Sequence, residues 1–305
     1  MSLFAIFRPV GPTGFGYGST AEQVTEGLSL AGKTILVTGC NSGIGQESCR
    51  VLASRGALVL GTARTKAKAD AACAKFPGES IGYACELADP VSVRACVSAI
   101  KADGHQLDVV ICNAGIMMLP KLETAHGYEL QFFTNHIGHF VLVNGLLDVV
   151  KGDGRVVVLS SEGHRQAPAN GIDFNNLSGE KGYKPLTAYG QSKMANLLFA
   201  KELQRQFHGS GRTAYAVHPG VVNTNLVRNL GPMLRMLASS VGSLLLKTVE
   251  EGAATEVFAA VSPKALPLAG CYLADSNKKK SRADADSPWL ARQLWVKSEE
   301  IVRSL

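Results

Sequence analysis

The sequence predicts an α/β protein built on one doubly wound parallel sheet with helices on both faces. From Thr34 onward, short β-branched and apolar runs alternate with longer helix-patterned segments, as in repeated βαβ units. The composition, 18% charged and 46% apolar over 305 residues, is that of a globular chain, with no shift midway to indicate a second body. A glycine-rich turn also follows the first apolar run and opens a helix-patterned segment. In such sheets, ligands collect at the carboxyl ends of the strands.

Seven strands are predicted, and helices fill the intervals between them. The first 30 residues are predicted to form a surface extension, in which Ser19 to Glu22 has a capping-box pattern that opens a short helix. The main domain then spans residues 31–305. The predicted strands cover residues 34–38, 58–62, 81–85, 109–112, 156–160, 214–218 and 270–273.

Charge and cysteine usage exclude several classes of protein. The net charge of +6 is modest, and outside Lys278 to Lys280 the cations are scattered, so nucleic acid is not an expected partner. That lysine run is interpreted as a solvated loop rather than an anionic-surface contact. Seven cysteines without metal-ligand spacing indicate reduced thiols in an intracellular, reducing compartment, with the cytoplasm expected and an organelle left open. No apolar run is long enough to span a bilayer, and no secretory signal is recognised.

Two further kinds of site are disfavoured by their motifs. The seven histidines include no HExxH pattern, and His136 and His139, three residues apart, are expected to pack or hydrogen-bond, so no metal is predicted. Ser161 is not surrounded by a GxSxG pattern, which argues against a serine hydrolase.

The glycine-rich turn Thr38 to Gly45 predicts a phosphate site. Without a Cβ, glycines let the backbone approach a pyrophosphate, and the following helix offers free N–H groups and its positive dipole end. An ordinary tight turn is the alternative interpretation. The residues of the turn expected to contact a dinucleotide are Gly39, Asn41, Ser42, Gly43, Ile44 and Gly45.

The second strand ends in a segment that favours NADP over NAD. Dinucleotide-binding chains usually carry an acid here for the ribose hydroxyls, but this chain has Ala63 followed by Arg64, Lys66 and Lys68. A guanidinium suits a 2′-phosphate through charge-assisted hydrogen bonds. The alternative is an exposed basic loop without a ligand.

Tyr189 and Lys193 form the strongest candidate pair for chemistry. Residues four apart share a helix face, so the phenol and the ammonium can point into one cleft. A neighbouring cation is expected to lower the pKa of a tyrosine, which then becomes a usable acid/base near neutral pH. Taken alone, the pair also occurs on ordinary surface helices.

Further polar groups follow other predicted strands. Ser161 ends a buried run, where its hydroxyl can bond a substrate oxygen and the tyrosine, or serve only as a turn residue. Asn135 lies in a long helix-like segment where a buried amide requires partners, and an active-site water chain could satisfy it. The strand before residue 113 is followed by Asn113, Ala114 and Gly115. These small residues are expected either to let the backbone pass close to a bound adenosine or to support the sheet. Pro219, Gly220, Val222 and Thr224 follow the strand at residues 214–218 and are expected to bind a nicotinamide carboxamide.

Together and in this order, these motifs resemble the short-chain dehydrogenase/reductase family, from Gly32 to about Leu273. The resemblance implies a catalytic domain over residues 31–305, Tyr189 as the proton donor or acceptor, and Ser161 as the residue that orients the substrate oxygen. It implies that Lys193 binds the nicotinamide ribose and shifts the tyrosine pKa, and that Asn135 holds a proton-relay water. Paired subunits, as a homodimer, are a further expectation. Within the family, the stretch Asn135 to Phe140 is most similar to retinol-dehydrogenase-type members, and Phe15 to Glu22 is similar to plastid inner-envelope relatives linked to protein import.

Three departures from the family pattern leave the residues of the chemical step unchanged. Glu86 and Leu87 stand where an aspartate usually makes the adenine contact, and Cys112 replaces an asparagine. No N-terminal membrane anchor is recognised before the fold. The insert Glu162 to Ala188 is longer than in many members and is expected to line the substrate cleft.

We therefore predict an NADP(H)-dependent oxidoreductase that interconverts a lipophilic or retinoid-like carbonyl and an alcohol, with reduction as the cellular direction. The apolar stretch after Thr224 is interpreted as a lid, as a packed segment, or as a peripheral membrane contact. The terminal segment Pro288 to Val302 is expected to dock on the fold, with a calmodulin-like target as the weaker alternative. The competing function is an NADP-binding redox sensor or scaffold that acts through protein contacts.

Overall fold

The computed structural model describes residues 9–222 and 246–305. In this part of the chain the strands are β1 (Thr34–Thr38), β2 (Leu58–Ala63), β3 (Ser80–Ala84), β4 (Leu107–Cys112), β5 (Thr124–Ala125), β6 (Tyr128–Glu129), β7 (Val150–Leu159), β8 (Thr213–His218), β9 (Tyr272–Ala274) and β10 (Asn277–Lys278). The α-helices are α1 (Ala21–Val24), α2 (Gly43–Ser54), α3 (Lys66–Cys73), α4 (Pro90–Ala102), α5 (Leu130–Phe132), α6 (Gly138–Leu146), α7 (Pro185–Gln206), α8 (Val249–Val261) and α9 (Pro288–Arg303). Shorter helical turns cover Phe133–Ile137 (π) and Glu162–Gln166, Pro263–Leu268 and Ala283–Asp286 (3₁₀).

Among the described residues, eight strands form one sheet in the order β10-β9-β8-β7-β4-β1-β2-β3, and β5 pairs with β6 in a separate hairpin. Every neighbouring pair in the large sheet is parallel except the edge pair β9–β10. The chain winds outward in one direction through β1, β2 and β3, and in the other from β4 onward. This is the predicted Rossmann-type, doubly wound arrangement, with its switch point between β1 and β4.

The predicted strands are confirmed, and the largest boundary error is at β7. That strand begins at Val150 because Val150 pairs with Leu107 across a register shift, although Gly152 and Gly154 resemble a turn in the sequence. Strand β9 begins two residues later than predicted because Gly270 has a φ of +75°, which interrupts extended backbone. The two-residue strand β10 was not predicted, since so short an element leaves no periodic signal.

Alternation along the strands divides the apolar interior into two cores. In β1, Leu36 faces the core formed with α4, α6, α7 and α9, whereas Ile35 and Val37 face the core formed with α1, α2, α3 and α8. Both faces of the sheet are therefore covered, as buried parallel strands require.

The N-terminal segment packs on the second of these cores. Ala21 and Val24 of α1 are buried there, and the Phe15 ring lies 5.8 Å from that of Phe258 in an edge-to-face contact. The predicted capping box is wrong by one residue. Thr20 is the N-cap and bonds reciprocally with Gln23, while the Glu22 carboxylate pairs with arginines of and just after α2.

The C-terminal helix α9 docks on the fold as predicted. Trp295 is buried, with its ring 4.9 Å from Phe140 and 5.8 Å from Phe199, whereas Trp289 at the start of the helix is exposed. No helix within residues 9–222 and 246–305 combines the length and the apolar character that a bilayer crossing requires.

Candidate active site

The candidate site residues lie at the carboxyl ends of the strands around the switch point. The loops after β1 and β4 are neighbours because these strands pair directly, with Val37 in register with Ile111. Ser160 and Ser161 follow β7, which pairs with the other side of β4. The topology therefore brings together motifs that are far apart in the sequence, as such folds do at their ligand sites.

The glycine loop after β1 has the shape of a pyrophosphate cradle. Gly39 has a φ of +77°, and a Cβ on Gly45 would lie 2.3 Å from Asn113 Nδ2, so a side chain at Gly45 is sterically excluded. Asn113 fastens the loop by donating from Nδ2 to the Thr38 carbonyl at 2.7 Å. Ser42 caps α2 without a side-chain hydrogen bond, which leaves N–H groups of the first turn available to an anion.

Arg64 lies exposed just beyond β2. Within residues 9–222 and 246–305 its guanidinium makes no hydrogen bond or ion pair, whereas Lys66 is paired with Asp70 at 2.6 Å. An unpaired guanidinium at this strand end suits an incoming phosphate. Farther along, the Glu86 carboxylate accepts from the Ala88 N–H at 3.2 Å, and Leu87 is buried against the first residue of α6.

Tyr189, Ser161 and Lys193 converge where α7 passes the end of β7. Tyr189 is 9% exposed, and its phenol is hydrogen-bonded with the Ser161 hydroxyl. Lys193 Nζ lies 5.8 Å from the centroid of the Tyr189 ring and donates to the Leu159 carbonyl at 3.0 Å. Gly163 makes this packing feasible, because a Cβ there would lie 2.8 Å from the tyrosine ring.

The predicted electrostatic effect of Lys193 on the tyrosine is wrong for the protein alone. Burial raises the pKa of Tyr189, and the Ser161 hydrogen bond offsets this only in part. Burial also lowers the pKa of Lys193 to about 8, so its charge is weakened by the environment that was expected to exploit it. The ammonium is directed at a backbone carbonyl rather than at the phenol, which sequence spacing alone does not reveal.

Asn135 is wholly buried in the π-helical turn that interrupts the predicted long helix. Its Oδ1 accepts from the Ile116 N–H at 2.8 Å, and its Nδ2 donates to the Ile116 carbonyl and to Ser192 Oγ, each at 2.9 Å. Both N–H donors are thus used within the protein. A water held by Asn135 would have to donate to one of its oxygens.

Several supporting residues were not predicted. Ser192 passes the hydrogen bond from Asn135 on to the Tyr189 carbonyl at 2.8 Å. Gln131 accepts from the Met118 N–H at 2.6 Å, and the Tyr183 hydroxyl donates to the Leu119 carbonyl at 2.6 Å, so two side chains fix the loop after β4. For Gln131 the available signal was its polar character within the apolar helix pattern Leu130 to Gly138.

The loop after β8 is held in place by Lys247, which follows the segment outside the described residues. Gly220 has a φ of +93°, and a Cβ on it would lie 2.6 Å from the Lys247 side chain. The Lys247 N–H donates to the Val221 carbonyl at 3.0 Å, while Val222 forms a bridge with Lys247. Thr224 and most of the stretch interpreted as a lid lie outside the described residues.

At the beginning of the insert Glu162 to Ala188, Gly163 lies against the ring of Tyr189. The remaining part of the insert borders a separate cavity of about 90 Å³, near Asp173, Tyr183 and Gln191. Thr187, Ala188 and Gln191 lie on the face of α7 opposite Tyr189 and Lys193, given the helical repeat of 3.6 residues. The cavity and the Tyr189 side chain therefore lie on opposite faces of α7.

The family model described as short chain dehydrogenase matches residues 33–235. The chain is 38% identical to "Short-chain dehydrogenase TIC 32 A, chloroplastic" from Brassica napus over 309 residues, which cover 97% of this chain and 96% of that protein. It is 37% identical to mouse "Retinol dehydrogenase 12", with 91% of this chain and 89% of that protein covered. A solved short chain dehydrogenase from Burkholderia cenocepacia J2315, in complex with NADP, is 26% identical with a TM-score of 0.64 and covers 80% of this chain and 96% of its own.

The match extends through the glycine loop, the Asn-Ala-Gly turn and the Ser161, Tyr189 and Lys193 positions, all within residues 33–235. Sequence, topology and site geometry thus agree. The chain belongs to the short-chain dehydrogenase family, resembles its retinol-dehydrogenase-like members, and is an oxidoreductase.

Proposed function

We propose that this protein is an NADP(H)-dependent carbonyl reductase, with Tyr189 as the group that donates a proton to the substrate oxygen. The observation that carries the proposal is the convergence of the Tyr189 phenol, the Ser161 hydroxyl and the Lys193 amine beside the glycine loop. A nicotinamide held there would supply the hydride that a carbonyl carbon accepts.

The raised pKa of Tyr189 suits the role of proton donor. A buried phenol keeps its proton at neutral pH and can therefore donate it as negative charge develops on a carbonyl oxygen. Ser161 is placed to hydrogen-bond that oxygen as well as the phenol. Lys193, whose Nζ lies 5.8 Å from the centroid of the Tyr189 ring, is proposed to bind the nicotinamide ribose.

The proposed preference for NADP over NAD depends on Arg64, which is exposed just after β2. Arg64 is available to pair with a 2′-phosphate, and the glycine loop with the free N–H groups of α2 fits the pyrophosphate. The structural relative that contains NADP agrees with this preference.

A lipophilic substrate is the best fit to the wall of the site. The loop after β4 presents Ile116, Met117, Met118 and Leu119, all half-buried, beside Asn135. Methionine and aliphatic side chains form adaptable apolar surface. The retinol dehydrogenases among the relatives are consistent with a substrate of this kind.

The proposal is tested by following NADPH consumption with aldehydes and ketones of increasing chain length, including retinal. Turnover should rise with chain length, and Tyr189→Phe should lower kcat at least about hundredfold. Tyr215→Phe is the matched control, since Tyr215 is buried in the core beside α8 and lies three residues before the end of β8. A wild-type protein that binds NADPH tightly but reduces none of these compounds would instead support a sensor or scaffold.

A further inference from the structure

We infer that His139 is a positioning residue that ties the catalytic-site asparagine, Asn135, to the loop after β1 that would hold the cofactor phosphates. The inference rests on the proposed function. His139 is wholly buried in the first turn of α6, and its two ring nitrogens contact two different parts of the site.

The hydrogen bonds of His139 fix a single proton arrangement. Nδ1 lies 2.9 Å from the Asn135 carbonyl, which can only accept, so Nδ1 must carry the hydrogen. In a neutral ring Nε2 is then an acceptor, and Thr38 Oγ1, 2.9 Å away, must donate to it. The Ile111 carbonyl, 3.5 Å from the same hydroxyl, is the weaker acceptor.

The chain of hydrogen bonds continues through Thr38 to the Asn-Ala-Gly turn. With its proton directed at His139, the Thr38 hydroxyl accepts from the Ala114 N–H at 3.0 Å. At the other end, Asn135 holds Ile116 and Ser192 through its amide. One imidazole therefore connects the phosphate loop, the turn after β4 and the turn that positions the tyrosine backbone.

The surroundings of His139 keep it neutral. Burial lowers its pKa to about 4, the hydrogen bond to Asn135 opposes this, and the nearby Lys193 lowers the pKa further. An imidazolium would also leave Thr38 without an acceptor at Nε2. The ring therefore keeps one tautomer through the neutral range, as a rigid connector requires.

His136 offers a matched control within the same turn. It is equally buried, but its Nε2 lies 2.8 Å from Ser298 Oγ of the C-terminal helix, so it fastens α9 rather than the site. Substitution of either histidine by leucine removes a buried hydrogen-bonding ring. Only the substitution at His139 should change cofactor binding and turnover.

The test begins with the tautomer in the full chain without cofactor, read from ¹⁵N–¹H correlations of the imidazole between pH 6 and 8. A neutral Nδ1–H ring is expected throughout. An Nε2–H ring, or a ring that titrates near its ordinary value, would overturn the inference.

The variants are then compared by NADPH affinity and by kcat at saturating NADPH. His139→Leu should weaken NADPH binding and lower kcat about tenfold each, because it removes the acceptor of the Thr38 hydroxyl proton and the donor to the Asn135 carbonyl. His139→Gln should stay within about threefold of the wild type, since its amide can both accept and donate. His136→Leu should lower the melting temperature while leaving both quantities within about twofold. Equal effects of the two leucine variants, or no rescue by glutamine, would assign His139 to packing alone.

Failure of the proposed function can be distinguished from failure of the inference about His139. If the protein reduces no carbonyl, NADPH affinity and the tautomer still decide the role of His139. If it does not bind NADPH either, the test is a double-mutant cycle that measures the free energy of unfolding of Thr38→Val, His139→Leu and the double variant. A loss in the double variant that differs from the sum of the single losses supports the hydrogen-bonded connection, whereas additive losses overturn it.

Discussion

The two ends of the candidate cofactor site are constructed differently. At the catalytic end, Asn135, Tyr189 and Lys193 are almost completely buried, and each is hydrogen-bonded to another part of the protein. At the adenine-phosphate end, Arg64 is exposed and, within the described residues, has no protein partner. The first end is formed before any ligand arrives, whereas the second obtains its partner only from the ligand.

The difference indicates which property each end controls. Buried, mutually bonded groups keep reacting atoms in fixed positions, which accelerates chemistry. An exposed cation contributes little to folding but can discriminate between ligands that do or do not carry a phosphate. Reaction type should therefore depend on the core of the fold, and cofactor choice on a replaceable surface residue.

The largest effect should distinguish the two adjacent serines after β7. Ser161→Ala removes the hydroxyl that bonds Tyr189, and we expect kcat to fall by about 10²–10³, as for other lost transition-state donors. Ser160→Ala removes a hydroxyl that donates to the Lys193 carbonyl at 2.7 Å, which should cost about 1 kcal/mol of stability. Steady-state kinetics and thermal unfolding of both variants provide the measurement.

The comparison of Ser161→Ala with Ser160→Ala tests the role of Ser161. A kcat for Ser160→Ala within about threefold of the wild type, beside the large loss in Ser161→Ala, would confirm a chemical role for the second serine only. Similar losses of kcat in the two variants would mean that the region acts as one structural unit.

A smaller effect should appear at the exposed end. Arg64→Ala should raise the KM for NADPH about ten- to a hundredfold through the loss of charge-assisted hydrogen bonds, and should leave the KM for NADH nearly unchanged. Arg303→Ala is a matched control, because that side chain is also exposed but lies at the end of α9. Equal changes for both cofactors would exclude a phosphate role for Arg64.

Much of the fold was predictable because the sheet leaves strong local signals. Buried parallel strands such as β1 and β4 are continuous apolar runs, and the glycine spacing after β1 reports a turn that side chains would block. The beginning of β7 was not predictable, because Gly152 and Gly154 are typical of turns and only pairing with β4 makes this segment a strand.

The chemical groups of the site were easier to predict than their electrostatics. The order of Ser161, Tyr189 and Lys193 along the chain identifies the groups, but the pKa of the phenol depends on burial and on where the ammonium points. The role of His139 was missed for the same reason, since its partner Thr38 is 101 residues away. Long-range hydrogen bonds do not produce a periodic pattern.

The smallest effect concerns α8, which packs on the same core as α2, the helix that follows the phosphate loop. Glu256 of α8 is buried and accepts a hydrogen bond from Ser48 of α2, and burial raises its pKa to about 8. Because the folded pKa lies above the unfolded value, the stabilising contribution is complete below about pH 4.5 and is lost as the pH rises through about 8. Glu256→Gln mimics the neutral acid, so its melting temperature relative to the wild type should increase from pH 5.5 to pH 8.5, by about 2–4 °C for each kcal/mol relieved. Thermal unfolding at the two pH values measures this, with the exposed Glu300→Gln as the control. A difference in melting temperature that does not change with pH would show that Glu256 titrates as an ordinary carboxylate. The Glu256 side chain would then be less shielded from water than its burial against α2 indicates.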